Sequence, residues 1–259
     1  MAGTEEEKAR LILEMEEAPA SRVQHEAALR QLEPHLKDLE RLEEGPLEIL
    51  DVGCWTAEVS LRLAAKGHRV TLLEPSSCLL AEVEEKARKE MPRECPGLSF
   101  LNQRIEDLEG CQAERFDLII CHQTVEYLDD PLRAMETVTR ALRPRGLLSL
   151  VFRNRYGEVA YSALKERDTA AALVALEATS FPSGFGEKPG RLYESEEMMR
   201  LLEPLGYTLT GEYGLRVFVD HLEGAGAREE DLLELELRVG SLPAFRQAGR
   251  LVHLVARKD

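Results

Sequence analysis

The stretch Ile49–Ser60, ILDVGCWTAEVS, decides how the rest of the chain is read. An apolar run ending at Asp51 has the character of a buried strand, Gly53 that of a tight turn, and the residues after it that of an opening helix. Glycine at such a junction leaves backbone N–H groups facing a ligand with no side chain between them. Two further positions, where a glycine-rich turn would repeat glycine, hold Trp55 and Ala57. A Cβ at positive φ costs about 1 kcal/mol, so the sequence predicts a turn that closes along a different backbone path.

Outward from this turn, strands are expected near 48–52, 69–73, 98–102, 116–121 and 147–152, with helices near 56–66, 76–90 and 131–142 between them. That alternation predicts an α/β fold, a mostly parallel sheet flanked by helices, with ligands at the carboxyl ends of the strands. Residues 4–17 read as an acidic helix. Ser21 with Gln24 matches a capping box for a second helix, whose apolar face carries Leu29, Leu32, Leu36, Leu39 and Leu42, with a kink at Pro34. Residues 1–45 are thus an N-terminal helical cap and 46–259 one α/β domain. Residues 154–192 interrupt the alternation with a helical, then Gly- and Pro-containing insert of lid-like character. A helix near 195–204, strands near 207–213 and 250–257 and a helix near 228–238 complete the chain.

With 259 residues the chain can bury a large core, and no apolar run approaches the ~18 residues of a membrane span. The acidic start MAGTEEEKAR lacks a signal peptide's basic and apolar regions. Cys54, Cys78, Cys95, Cys111 and Cys121 form no CxxC pair, so a reduced, cytoplasmic chain without a metal site is expected. A net charge of −15 disfavours generic nucleic-acid binding. Between Arg140 and Arg191, however, nine basic residues face five acidic ones. That window is either a solvated surface or a patch that meets an anion.

Glu74 closes the second strand, RVTLLEPS, roughly 20 residues after Gly53, where a carboxylate accepts hydrogen bonds from ribose hydroxyls. Neither G-x-G-x-x-G nor G-x-x-x-x-G-K-[ST] occurs, which disfavours a nicotinamide dehydrogenase and a P-loop enzyme. LDVG with Glu74, then RIEDL and FDLIICHQTVEYLDDP, resembles the Rossmann-like class I methyltransferases, which use S-adenosylmethionine on a seven-stranded sheet with its last strand antiparallel. Farther along, CHQTVEYLDDP, LSLVFRN, YGLRVFVDHL and LLELELRVGSLPAFRQAGRLVHLVARK are similar to the bacterial tRNA carboxymethoxyuridine methyltransferases, over roughly residues 47–258. Those enzymes esterify the carboxylate of a modified wobble uridine.

The resemblance implies that Asp51, Gly53 and Cys54 hold the methionine end of the cofactor and Glu74 the ribose. Ile105 with Glu106 would face the adenine, Asp107 being the rival of Glu106, and His122 would lie beside the cofactor. Arg22, with Arg30 as rival, would reach the methionine carboxylate. Arg153, Asn154 and Arg155, leaving the fifth strand, would meet a tRNA anticodon loop, and Arg216 would orient the acceptor carboxylate. A carboxylate is already ionised at neutral pH, with a reference pKa of about 4, and needs no general base. The glycines of that family are replaced here by Trp55 and Ala57. Trp55 is then a wall over the cofactor, a plug that leaves a silent binding protein, or a residue packing on the N-terminal cap. A small-molecule O- or C-methyltransferase is the remaining enzymatic alternative.

Overall fold

The computed structural model describes residues 5–41, 45–91, 97–110, 113–183, 188–222 and 226–259. Two helices, α1 (Glu5–Glu16) and α2 (Pro19–Glu40), precede β1 (Glu48–Val52). Then follow α3 (Glu58–Ala65), β2 (Arg69–Leu73), α4 (Ser77–Glu90), β3 (Leu98–Leu101), a 3₁₀ turn (Ile105–Gly110), β4 (Phe116–His122), α5 (Pro131–Ala141) and β5 (Leu142–Arg153). The insert consists of α6 (Arg155–Leu164), α7 (Thr169–Glu177) and a short hairpin of β6 (Ser180–Phe181) and β7 (Gly190–Arg191). The chain returns through α8 (Ser195–Leu202), β8 (Tyr207–Leu215), α9 (Val219–Leu222), α10 (Glu229–Gly240), α11 (Pro243–Arg246) and β9 (Leu251–Lys258).

Seven strands form one sheet in the order β3-β2-β1-β4-β5-β9-β8. Strands β1 to β5 pair in parallel, and β9 runs antiparallel between β5 and β8. Near-continuous apolar runs such as DLIIC suit strands covered on both faces. On one face Phe116, Ile119, Leu148 and Phe152 pack with Met135 of α5 and Met198 of α8. On the other, Ile49, Val70 and Leu118 pack with Leu32 and Leu36 of α2, Leu63 of α3 and Val83 of α4. Asp51 lies level with Leu72 of β2 and Ile120 of β4, so Gly53, Glu74 and Gln123 emerge together at one edge.

Three local expectations need correction. Helix α2 starts at Pro19, with Ala18 as its cap; proline at a first helical position leaves no backbone N–H to satisfy. The Ser21 hydroxyl instead donates to Met15 O at 2.9 Å, and Gln24 donates to Gln123 Oε1 at 2.5 Å, so no capping box forms. The same helix continues through Pro34 to Glu40, and Leu42 lies outside the described residues. Strand β5 begins at Leu142, directly after α5, because Leu142 already pairs with Phe116.

Candidate active site

Gly53 has φ +66, and its N–H donates to Leu73 O at 2.8 Å, tying the turn to the tip of β2. A Cβ at this position would lie 2.6 Å from Thr124 Cγ2 and closer still to Thr124 Oγ1. The Thr124 hydroxyl donates to Val52 O at 3.0 Å, so it fixes the start of the turn from β4. Trp55 (φ 48) and Ala57 (φ 54) both keep the left-handed conformation. The expected detour of the backbone does not occur. Contacts offset the strain instead: Ala57 is buried with Val59 and Leu61, and Trp55 packs among Ala9, Ile12 and Leu79.

A cavity of about 500 Å³ opens over this turn, lined by Gly53, Trp55, Glu74, Leu79, Ile105 and Glu106, with Ala9 and Ile12 of α1 forming part of its wall. A second cavity, about 50 Å³, shares Gly53 and Trp55 with it and is lined by Glu16, His25, Asp51, Cys54 and His122. That space admits a group of ammonium size. Trp55 is therefore both a cavity wall and a packing contact for the N-terminal cap, and the larger cavity stays open beside it.

The strand-tip acids sit where the spacing placed them. Glu74 is buried, accepting from Ser76 N at 2.9 Å and Trp55 N at 3.4 Å, and burial pushes its carboxyl pKa up. Asp51 accepts from Ser60 Oγ at 2.6 Å; burial pushes its pKa up to about 7 against the pull of that hydrogen bond. Ile105 and Glu106 line the large cavity, whereas Asp107 is exposed. His122 lines the small one, with Nε2 held 2.8 Å from Ser149 Oγ.

Sequence reasoning passed over Glu16 and His25, whose side chains stand 3.2 Å apart at the small cavity. Burial raises Glu16 to about 7 and lowers His25 to about 4, so both are drawn toward their neutral forms. No motif marks them, because the α1–α2 corner carries no pattern beyond helical periodicity.

Arg22, expected at the cofactor, lines neither cavity; it is half exposed and pairs with Glu229 of α10 at 2.7 Å. Its rival Arg30 pairs with Glu26 on the same helix. Asn154 is a structural clasp: it is buried, and its Nδ2 donates to Gln247 O at 2.7 Å and Gly249 O at 2.8 Å. Arg155 turns to Glu194 at 2.7 Å. Part of the basic window is answered by carboxylates, since Arg143 pairs with Asp117 and Lys188 with Asp129.

Two of the predicted arginines instead join a ladder of alternating charge. Arg153 holds Glu158 at 2.6 Å, Arg250 reaches Glu158 at 3.1 Å and Asp220 at 3.7 Å, and Arg216 grips Asp220 with two nitrogens. Arg216 then reaches Gln24 Oε1 at 3.3 Å, at the small cavity. The buried Glu236 accepts backbone N–H bonds from Val217, Phe218 and Val219 and so fixes the turn that carries Arg216, itself at φ 55. At the other end Arg153 lies 4.2 Å above Phe181, which neighbours Tyr127, which in turn neighbours Trp55. Arg250 was missed because it meets Glu158 and Asp220 only in the folded chain, whereas Asp220 stands four residues after Arg216, a spacing that could have marked the pair.

Residues 50–150 match the family model for a methyltransferase domain. The chain is 28% identical over 231 residues to the tRNA 5-carboxymethoxyuridine methyltransferase of Escherichia coli K12, covering 86% of this chain and 85% of that protein. It is 31% identical over 112 residues to the ubiquinone biosynthesis O-methyltransferase of Actinobacillus pleuropneumoniae, 42% of this chain and 46% of that protein. Among solved structures, an S-adenosylmethionine-dependent methyltransferase from Methanosarcina mazei superposes with a TM-score of 0.59 at 20% identity, covering 87% of this chain and 97% of that one. Magnesium protoporphyrin IX methyltransferase from Synechocystis PCC 6803, with bound S-adenosylhomocysteine, superposes at 0.61 with 14% identity, covering 93% and 86%.

The residues present fit this cofactor. Glycine is required where Thr124 crowds the turn, a carboxylate closes β2, and an apolar wall of Leu79 and Ile105 suits a purine. Among the described residues no His/Cys/Asp/Glu group could hold a metal, and no helix is long and apolar enough to cross a membrane. The chain thus has the fold of the S-adenosylmethionine-dependent methyltransferases, carries a methyltransferase-domain match over residues 50–150, and is similar over most of its length to the Escherichia coli tRNA 5-carboxymethoxyuridine methyltransferase.

Proposed function

We propose that this protein methylates the carboxylate of carboxymethoxyuridine at the wobble position of tRNA, in the cytoplasm. The observation that carries the reading is the arginine ladder, three guanidinium groups threaded through two carboxylates from the aromatic wall of the large cavity to the small one. Such an arc offers cationic surface to an anionic acceptor while its own charges stay mostly balanced. Similarity to the Escherichia coli tRNA enzyme covers 86% of this chain, whereas similarity to the ubiquinone O-methyltransferase spans under half of it.

The cofactor supplies an electrophilic methyl group on a sulfonium. Holding the acceptor in line with that methyl is the protein's task, and a carboxylate requires no proton removed. Asp220 occupies one edge of Arg216, so this guanidinium steers an acceptor from one side without burying its nucleophilic oxygen in a bidentate pair. The string Trp55–Tyr127–Phe181, with neighbouring ring centroids about 6 Å apart, offers π-faces to an unstacked base. Next to Tyr127, a cavity of about 870 Å³ is lined by Arg155, Lys188 and Arg191 together with Glu126, Asp129 and Glu197, so phosphates of an anticodon loop would have to compete there with carboxylates for the cations.

The test is methyl transfer to tRNA carrying carboxymethoxyuridine and lacking the ester, read by nucleoside mass spectrometry. Calorimetry with S-adenosylhomocysteine on wild type and Glu74→Ala runs in parallel. The expected result is an alkali-labile methyl ester and cofactor affinity that falls about 10- to 100-fold in the variant, the cost of lost ribose hydrogen bonds. Cofactor binding without transfer to this tRNA overturns the acceptor and leaves the methyltransferase intact.

A further inference from the structure

The interior behind β4 contains a chain of hydrogen bonds whose direction can be worked out atom by atom. It begins at a backbone carbonyl. Gly214 O can only accept, and Gln31 Nε2 lies 3.2 Å from it, so the amide nitrogen of buried Gln31 points there and Oε1 points away. Oε1 faces His253 Nδ1 at 2.9 Å, which makes Nδ1 the protonated ring nitrogen of His253. His253 is fully buried and, among the described residues, no carboxylate contacts its ring, so it is neutral and its Nε2 is an acceptor. Ser149 Oγ stands 2.9 Å from that nitrogen and spends its single hydrogen on it. The same oxygen lies 2.8 Å from His122 Nε2 and has only a lone pair left to offer, so His122 Nε2 carries a proton. Neutral His122 is therefore left with an unprotonated Nδ1, the one ring nitrogen it can offer to the small cavity it lines.

We propose that Gln31, His253 and Ser149 form a one-way relay that fixes the tautomer of His122 and presents its Nδ1 as a hydrogen-bond acceptor for the amino group of the bound cofactor. A donor is what such a nitrogen recognises, and the carboxyl oxygens of Asp51, Glu16 and Glu58 that share the cavity favour a donor with several N–H bonds to give. The ammonium on the methionine end is such a donor, and its size matches the cavity. Without the relay a neutral imidazole would interconvert between tautomers, and one of them would turn an N–H toward that ammonium. Ser149, His253 and Gln31 touch no ligand themselves; they are positioning residues. The identity of the ligand group rests on the small cavity being the cofactor's amino-acid end, whereas the relay itself does not.

Histidine-selective ¹⁵N labelling of the wild-type protein reads the tautomers from two-bond ¹H–¹⁵N correlations, with His122→Asn and His253→Asn assigning two of the six histidines. The ligand-free protein is expected to show His122 protonated on Nε2 and His253 on Nδ1. Protonation of His122 on Nδ1, or averaging between tautomers, overturns the relay. Addition of S-adenosylhomocysteine is expected to shift His122 Nδ1 while leaving it unprotonated; binding that leaves this resonance unmoved overturns the ligand assignment and spares the relay. Ser149→Ala is expected to let the His122 tautomers average and to weaken S-adenosylhomocysteine about threefold to tenfold, the size of one hydrogen bond. It should leave 5′-methylthioadenosine, which lacks the amino-acid end, unaffected. Equal weakening of both ligands means that Ser149 only supports the fold, and overturns the positioning role.

Discussion

Replacing Gly53 by alanine tests the central turn most directly, because two penalties can be separated. A Cβ at φ +66 costs about 1 kcal/mol of backbone strain. The same atom would lie 2.6 Å from Thr124 Cγ2 and 3.1 Å from Thr124 Cβ, an overpacking contact of about 1–3 kcal/mol. Lower entropy of the unfolded alanine chain returns about 0.4–1 kcal/mol, leaving a net loss of roughly 1–3 kcal/mol. Thr124→Ala alone removes the hydroxyl bond to Val52 O and costs about 1 kcal/mol. In the double variant the clashing Oγ1 and Cγ2 are gone, so the loss should fall short of the sum of the singles by about 1–2 kcal/mol. Urea denaturation of the four proteins of this cycle measures that coupling. Additive losses would show that Thr124 does not define the turn, and the argument that only glycine fits at 53 would fail.

Trp55 is the chain's one tryptophan and lines both cavities, so S-adenosylhomocysteine is expected to change its fluorescence on titration; calorimetric binding with silent emission would place the ligand elsewhere. Arg216→Lys keeps the charge and loses the two-nitrogen grip on Asp220, and kcat should fall about 10- to 100-fold with cofactor affinity within about twofold. A parallel drop in cofactor affinity would count against a role in orienting the acceptor. Burial pushes the Asp51 pKa up from its ordinary 3.8 to about 7, so the folded state holds the extra proton between those values and Asp51's contribution to stability is lost as pH rises through that window. Asp51→Asn should therefore flatten the decline of stability between pH 4 and 7 by about one proton, and an unchanged slope in urea melts across that range would refute the shift.

Much of the sheet was legible because each early strand is an apolar run bounded by turn chemistry: Pro46 before β1, Gly53 after it, Pro75 after β2. Glu74 and Asp51 followed, since strand tips are set by register. Misreadings arose where two local signals competed. The Ser21–Gln24 spacing satisfies a capping box, yet Pro19 starts the helix earlier, and Ser21 and Gln24 are spent on other partners. The segment RPRG at 143–146 looks like a connection, but pairing of Leu142 with Phe116 draws its start into the sheet. Arg22 and Asn154 have suitable chemistry and face the wrong way, which no residue type reveals. The histidine relay is illegible for a different reason: Gln31, Ser149 and His253 come from three elements far apart in sequence.

The turn itself shows how local rules and tertiary contacts combine. Trp55 and Ala57 break the rule that left-handed positions take glycine, and the rule misses the contacts that offset the cost. The Trp55 ring lies against Ala9 and Ile12 of α1, and those same residues form the outer wall of the larger cavity. Strain at the turn is thus balanced by docking of the N-terminal helices, which a glycine-rich turn would not need. It follows that α1 belongs to the wall of the larger cavity: removing its contacts would expose the cavity and leave the left-handed tryptophan without the burial that holds it.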